Sequence, residues 1–523
     1  MYTDNMNKNL IRMLRVVRSL AVMAVLSGLA WANSDAACEA LVNLRLPNVN
    51  MLSAFTVPAD DALPAYCSLR GYVRPAINFE IRLPTENWNG GFYMAGCGGF
   101  CGQLLADAPG FVNAMNYGLA RGYAAATMDG GHWGTGSTDG RWAYFNRLAE
   151  IDWGERAVRE TALVANQVID AFYNSAPEPR IFAGCSTGGR QAHMLALRSP
   201  ELFDGIISGA PALNYTDLVG TFMAAVVQHN SDADGQPILT PDLVPLIQAA
   251  VYEQCDAADG LEDGLLSDPD SCSVDWTALA CNGDSDEPCL NDAQLETLQG
   301  WYNEGARNSA GEQLYPATIP YGSEPYWGLW LTGSSGGNGL VPTFTSQFLR
   351  FMAFQRDPGE DYSPLDFDFD EDPARLEFMG AIYNAHDPDL SAFAAAGGRM
   401  ITWHGLADAI VPHGKTLTHY QAAAEQAGGL ETLQDFNRLF LIPGMDHCGI
   451  LPGPGISSAG FDPLTALEDW LASGEAPDSL ITNHPGSDDH EPWSRPVCAW
   501  PAVAEHTGGD WREAENFRCV LPD

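Results

Sequence analysis

Lysine is almost missing from this chain of 523 residues: Lys8 and Lys415 are the only two, and 26 basic residues face 67 acidic ones for a formal net charge of −41. A field of that sign repels polyphosphates and anionic bilayer surfaces, which excludes nucleic acid and membrane surfaces as partners. Long apolar runs are equally scarce. The clearest, Ser19 to Leu29, is too short to cross a bilayer. It follows Lys8, Arg12, Arg15 and Arg18 and precedes Ala30-Trp31-Ala32, an A-x-A cleavage site, so residues 1–32 read as a secretory signal peptide. Cys38 has no lipobox before it (Ser34-Asp35-Ala36-Ala37), and the expected product is soluble, either periplasmic or secreted. There is no internal repeat and, with 46% hydrophobic residues, no sign of general disorder. The length exceeds a single compact core, so one large domain with an insertion, or two domains, is expected.

Cysteine, by contrast, is plentiful. Export makes the twelve cysteines read as six disulfides in an oxidising compartment, although a count does not set their connectivity. Local spacing suggests Cys38–Cys67, Cys255–Cys272, Cys281–Cys289 and Cys498–Cys519. Cys97 and Cys101 share one glycine-rich loop, where they could pair with each other, and Cys185–Cys448 is then what remains.

From about residue 70 to 212, apolar strands alternate with amphipathic helices, the rhythm of an α/β domain. Strands are expected at 76–83, 91–96, 123–128 and 180–183, with helices at 155–174 and from Arg190 on. After Pro211 the rhythm fades into aspartate loops, four cysteines and many aromatic residues. It returns with strands at 399–403 and 438–442. The expected organisation is therefore one α/β domain over 33–212 and 387–523, interrupted by an inserted lid domain over 213–386.

Gly184-Cys185-Ser186-Thr187-Gly188 matches the nucleophile-elbow pattern G-x-S-x-G and lies between an expected strand and an expected helix, the context that the motif needs. A serine hydroxyl is a weak nucleophile and requires a base, an orienting acid and donors for the developing oxyanion. Asp408 and His447 each follow a later strand, and the order Ser, Asp, His is the one α/β-hydrolases use. Asp446 is a rival acid, but neighbouring side chains in a loop diverge. His132, His193 and His404 are rival bases; His404, close to Asp408 in sequence, is expected to line the substrate pocket instead. The backbone N–H of Thr187 is one expected oxyanion donor. The loop Gly96-Cys97-Gly98-Gly99-Phe100 should supply the other, with Gly98 preferred over Gly99. Tyr326, Trp327, Trp330, Phe344 and Phe348 could roof an aromatic acyl group, with Trp330 the chosen contact. Cys255 to Leu265 is dense in carboxylates and glycines, a composition that suits Ca²⁺ although its spacing is not that of an EF-hand.

Gly122-Tyr123 to His132, Gly184 to Arg190, Phe203-Asp204-Gly205 to Ala212, and Pro443 to Cys448, with its Cys-Ser and His-Cys elements and an intervening Asp, resemble the tannase and feruloyl esterase family, which also contains the mono(hydroxyethyl) terephthalate hydrolases. The resemblance implies an α/β-hydrolase with a large lid that cleaves esters of aromatic carboxylic acids through an acyl-enzyme. It implies the Cys185–Cys448 bridge, a pocket contact at Val411, and a structural lid calcium held by the side chains of Asp256, Asp259 and Asp263 and the carbonyls of Leu261 and Leu265. No organic cofactor is implied, and the partner is a small aromatic ester of feruloyl or galloyl type. The alternative is a mono(2-hydroxyethyl) terephthalate hydrolase; a peptidase or a catalytically silent binding module would use the same fold. The Cys97/Cys101 pair, which flanks the expected oxyanion loop, departs from the family's usual pattern.

Overall fold

Residues 35–281, 288–334, 339–486 and 491–522 are described by the structure, a computed structural model; the expected signal peptide lies outside them. The alternating apolar runs become one nine-stranded sheet. Its strands are β1 (Val49–Val57), β2 (Tyr66–Val73), β3 (Ile77–Pro84), β4 (Phe92–Ala95), β5 (Ala124–Met128), β6 (Arg180–Cys185), β7 (Gly205–Gly209), β8 (Arg399–Gly405) and β9 (Asn437–Ile442). They lie in the spatial order β1-β2-β3-β5-β4-β6-β7-β8-β9. β1, β2, β3 and β5 pair antiparallel, and every pairing from β5 through β4 to β9 is parallel.

A strand's side chains alternate between faces, and in this sheet both faces are covered, so its parallel half is apolar throughout. Phe92 and Met94 of β4 join one core, while Tyr93 and Ala95 join the other. Helices α1 (Ala157–Tyr173) and α2 (Thr187–Arg198) pack on the first face, and α3 (Pro463–Ser473) covers the second with Leu464, Leu467 and Trp470. Between β7 and β8 the described chain leaves the sheet and forms helices and loops only, which share the first core through Trp301, Trp327 and Phe348. β10 (Ser479–His484) with β11 (Trp493–Cys498), and β12 (Val503–His506) with β13 (Phe517–Val520), form two small hairpins near the C-terminus.

The six disulfides pair as the local spacing and the remainder suggested: Cys38–Cys67, Cys97–Cys101, Cys185–Cys448, Cys255–Cys272, Cys281–Cys289 and Cys498–Cys519. No helix among the described residues is long and apolar enough to cross a membrane.

Candidate active site

The expected site residues converge beyond the C-terminal ends of β6, β8 and β9. Ser186 sits at the turn between β6 and α2 with φ 65° and ψ −122°, a strained backbone that lifts its side chain off the sheet. The turn is tight because its glycines leave no room for a side chain. A Cβ on Gly184 would come within 2.6 Å of the Gly188 backbone, and one on Gly189 within 2.3 Å of the Gly209 carbonyl.

Asp408 is fully buried behind the site. Its Oδ1 accepts the N–H groups of Ile410 (3.1 Å) and Val411 (2.8 Å), which aims Oδ2 at Nδ1 of His447, 2.6 Å away. Burial alone would raise this carboxyl, but the facing His447 and His404 rings outweigh it and hold it at about 2. An ionised Asp408 therefore accepts from Nδ1–H of His447 and leaves Nε2 free to act as a base. His447 and Ser186 line one cavity of about 300 Å³ with no hydrogen bond yet between them, a looseness common before substrate binds.

The rival residues are occupied elsewhere. The Asp446 carboxylate accepts the Leu451 N–H at 3.3 Å, and burial pushes its carboxyl up to about 8. His132 stacks on Trp142 at 3.7 Å, and His193 packs edge-on against His419; neither reaches the cavity. His404 departs from the expected pocket position. It is fully buried, its Nε2–H donates to the Val411 carbonyl at 2.6 Å and lies 3.4 Å from Asp408 Oδ2, and its Nδ1 accepts from the Thr416 hydroxyl at 2.9 Å. It braces the acid from behind because β8 points it into the protein, and sequence proximity to Asp408 could not distinguish the two sides. Val411 and Trp330 do line the cavity, and the Trp330 ring stands edge-on to His447 at 5.4 Å.

Both expected oxyanion residues face the cavity. Thr187 opens α2, so its N–H has no intrahelical acceptor. In the glycine loop, Gly96 N–H is spent on the Ala183 carbonyl, Cys97 N–H on Gln191 Oε1, Phe100 N–H on the Ser137 carbonyl and Cys101 N–H on the Gly98 carbonyl. The N–H groups of Gly98 and Gly99 are left without a partner among the described residues. The Thr187 hydroxyl donates to the Gly99 carbonyl at 2.7 Å and ties the two halves of the site together. Asn113 and Gln191, which no sequence signal marked, buttress this region from below.

The acidic loop at 256–265 carries hard oxygen donors, spent here on protein groups. Asp256 Oδ1 accepts the N–H groups of Asp263 (3.3 Å) and Gly264 (2.9 Å), and Asp259 Oδ1 accepts that of Leu261 at 3.0 Å. Asp263 accepts the Leu265 N–H at 3.0 Å and pairs with Arg495. Among the described residues no three His, Cys, Asp or Glu side chains, those of this loop included, are gathered closely enough to hold a metal ion by themselves. Burial, and then the neighbouring carboxylates, raise the Asp256 carboxyl, and Asp259 shifts the same way. One guanidinium for three aspartates leaves an excess of negative charge, a donor set whose chemistry fits a hard divalent cation.

This sheet order, with an elbow after β6, an acid after β8 and a histidine after β9, is that of an α/β-hydrolase. The profile of the family described as tannase and feruloyl esterase matches residues 66–520, so the chain belongs to that family and is a carboxylic ester hydrolase. It is 33% identical to an uncharacterized esterase of Xanthomonas campestris pv. campestris, over 97% of this chain and 94% of the relative. It is 30% identical to the mono(2-hydroxyethyl) terephthalate hydrolase of Piscinibacter sakaiensis, over 94% and 92% of the two chains. Among solved structures, feruloyl esterase B from Aspergillus oryzae superposes with a TM-score of 0.81 at 26% identity, covering 93% of this chain and all of that one.

Proposed function

We propose that the protein is an exported serine esterase that releases a neutral aromatic acid of feruloyl or galloyl type from its ester. The supporting observation is the cavity beside Ser186. Trp330, Phe344 and Tyr215 supply flat apolar walls, Gln103 and Ser137 supply neutral polar groups, and no Lys, Arg, Asp or Glu lines it among the described residues. Burying an ionised carboxylate there would leave it without a counter-charge, which costs far more than burying a phenol that finds one hydrogen bond. That cost disfavours a terephthalate monoester, whose far end is anionic, and ranks that reading second.

In this mechanism His447 Nε2 takes the proton of Ser186 as its oxygen attacks the ester carbonyl. The N–H of Thr187 and one from the glycine loop hold the oxyanion, and the imidazolium, steadied by Asp408, returns the proton to the departing alcohol. Water then attacks the acyl-enzyme by the same route and frees the acid. Calcium would be held by Asp256, Asp259 and Asp263 with the carbonyls of Leu261 and Leu265, and would tie down the insertion without entering the chemistry. Export would follow from residues 1–32.

Hydrolysis of methyl ferulate, methyl gallate and mono(2-hydroxyethyl) terephthalate, measured side by side for wild type and Ser186→Ala, tests the reading. The expected result is the highest kcat/KM on one of the first two and none in the variant. Preference for the terephthalate ester would overturn the acyl assignment, and an active Ser186→Ala would overturn the mechanism. A peptide panel with no turnover would set aside the peptidase reading.

A further inference from the structure

We propose that Asn113 is a positioning residue that replaces a missing stretch of β-ladder and thereby frees the Gly98 N–H for the oxyanion. The inference rests on the serine-esterase reading and deepens it. β4 and β6 run parallel, with Ala95 opposite Ala183, and the last ladder bond runs from Gly96 N–H to the Ala183 carbonyl at 2.9 Å. In a parallel ladder the next residue of β6 to bond on this side is Cys185. Its N–H would point at the Gly96 carbonyl and its carbonyl at the Gly98 N–H. The chain turns away after Gly96, and Cys185, buried immediately before the nucleophile, would be left with an unpaired N–H and carbonyl, each costly to bury.

The Asn113 carboxamide fills both places. Its Oδ1 accepts the Cys185 N–H at 3.1 Å, and its Nδ2 donates to the Cys185 carbonyl at 3.2 Å. Asn113 reaches that position with φ 49°, a left-handed backbone that asparagine tolerates better than most residues. The fit is close on every side. A Cβ on Gly188 would lie 2.2 Å from Oδ1, one on Gly96 3.2 Å from Oδ1, and one on Gly98 3.4 Å from Nδ2. One amide thus spaces the nucleophile turn from the glycine loop and keeps the Gly98 N–H from collapsing onto Cys185. Gly98, not Gly99, is then the second oxyanion donor.

Two variants test this on p-nitrophenyl acetate, an activated ester that makes no demand on the acyl pocket. Asn113→Gly keeps the left-handed backbone accessible and deletes only the amide. It should lower kcat by about 100-fold, the loss of one oxyanion donor, with KM changed by less than about threefold. In Asn113→Asp the ionised carboxylate keeps the acceptor and loses the donor, whereas the protonated acid offers both, as the amide does. Its kcat divided by that of wild type should therefore rise steadily from mildly alkaline to mildly acidic pH, a change that simple structural damage would not produce. A kcat for Asn113→Gly within about twofold of wild type, or a loss confined to KM, overturns the proposal. So does a pH-independent ratio for Asn113→Asp, which also decides the matter if Asn113→Gly fails to fold. If Ser186→Ala hydrolyses the ester as fast as wild type, the serine reading itself fails and takes this proposal with it.

Discussion

Replacing Cys185 and Cys448 together by alanine separates the thermodynamic from the catalytic role of their bridge. The bond joins two residues 263 positions apart, with Cα atoms at 6.0 Å. For a loop of that length the chain-entropy argument gives an upper bound of about 5.6 kcal/mol, and measured bridges deliver about 2–4. Melting a domain of this size carries an entropy on the order of 1 kcal/mol per degree, so a loss of about 3 kcal/mol lowers Tm by only about 3 °C.

Catalysis is far more sensitive. Ser186 at φ 65° follows one bridged cysteine, and the other, Cys448 at φ 59°, follows His447. Both backbones sit in a sparsely populated region that relaxes when nothing holds it. A shift of about 1 Å between nucleophile and base costs about 100-fold in rate. His447 remains tethered to Asp408 at 2.6 Å, so the drift should fall mainly on Ser186. The double variant should therefore stay folded, melt about 3 °C lower, and lose about 100-fold in kcat on an aryl ester. Thermal melts and steady-state kinetics on the same preparation decide it. A variant with kcat within about threefold of wild type would refute the claim that the bridge holds the catalytic pair in register.

Asp408→Asn should lower kcat by about 10⁴-fold with little effect on KM. The N–H groups of Ile410 and Val411 keep the amide oxygen, so its NH₂ must face Nδ1 of His447 and impose the wrong tautomer. A loss below about tenfold would rule out Asp408 as the orienting acid. The stability contributed by buried carboxyls should fall as pH rises from about 4 to 7: burial pushes Asp129, Glu150 and Glu324 up to about 7, so across that window these groups hold protons in the folded chain that they have released in the unfolded one. Asp408 acts in the opposite sense, but its contribution is lost only as pH falls below about 4 toward its folded value of about 2. Burial also lowers His132 to about 3 and His419 to about 4, so these histidines lose stability as pH falls below about 6.5 and oppose the carboxyls. The carboxyl share is isolated by Asp129→Asn, whose Tm relative to wild type should climb as pH rises from about 4 to 7; a pH-independent difference would contradict the burial argument. Chelation should lower Tm by a few degrees, with calcium restoring it, because a ligand bound only to the folded state stabilises by mass action. An unchanged melt would remove the calcium assignment.

Much of the site was legible because its residues occupy the positions where an α/β sheet exposes chemistry, just past the strand ends. Ser186, Asp408 and His447 each follow a recognisable apolar run, and Asp446 is set apart from Asp408 because its side chain adjoins His447 in one loop, where neighbouring side chains diverge. β7, by contrast, is five residues containing two glycines, and it is a strand because β6 and β8 flank it. β1, β2 and the C-terminal hairpins likewise carry no clear signal: β1 is nowhere fully buried along its nine residues, β2 is buried at six of its eight, so neither alternates cleanly, and β12 and β13 have only four residues each. His404 was misplaced for a related reason, as sequence separation does not say toward which side of β8 a ring turns.

Sequence by itself determined the α/β rhythm, the order of the three candidate catalytic groups and, through short-range spacing, four of the disulfides, because each of these is encoded locally. Tertiary structure alone decided which groups touch: that His404 supports the acid, that the cavity carries no charge, and that Asn113, far from Cys185 in sequence, completes its ladder. The physical reason is that burial and hydrogen-bond satisfaction are properties of the packed neighbourhood, and a neighbourhood assembled from residues dozens or hundreds of positions apart leaves no periodic mark on the chain.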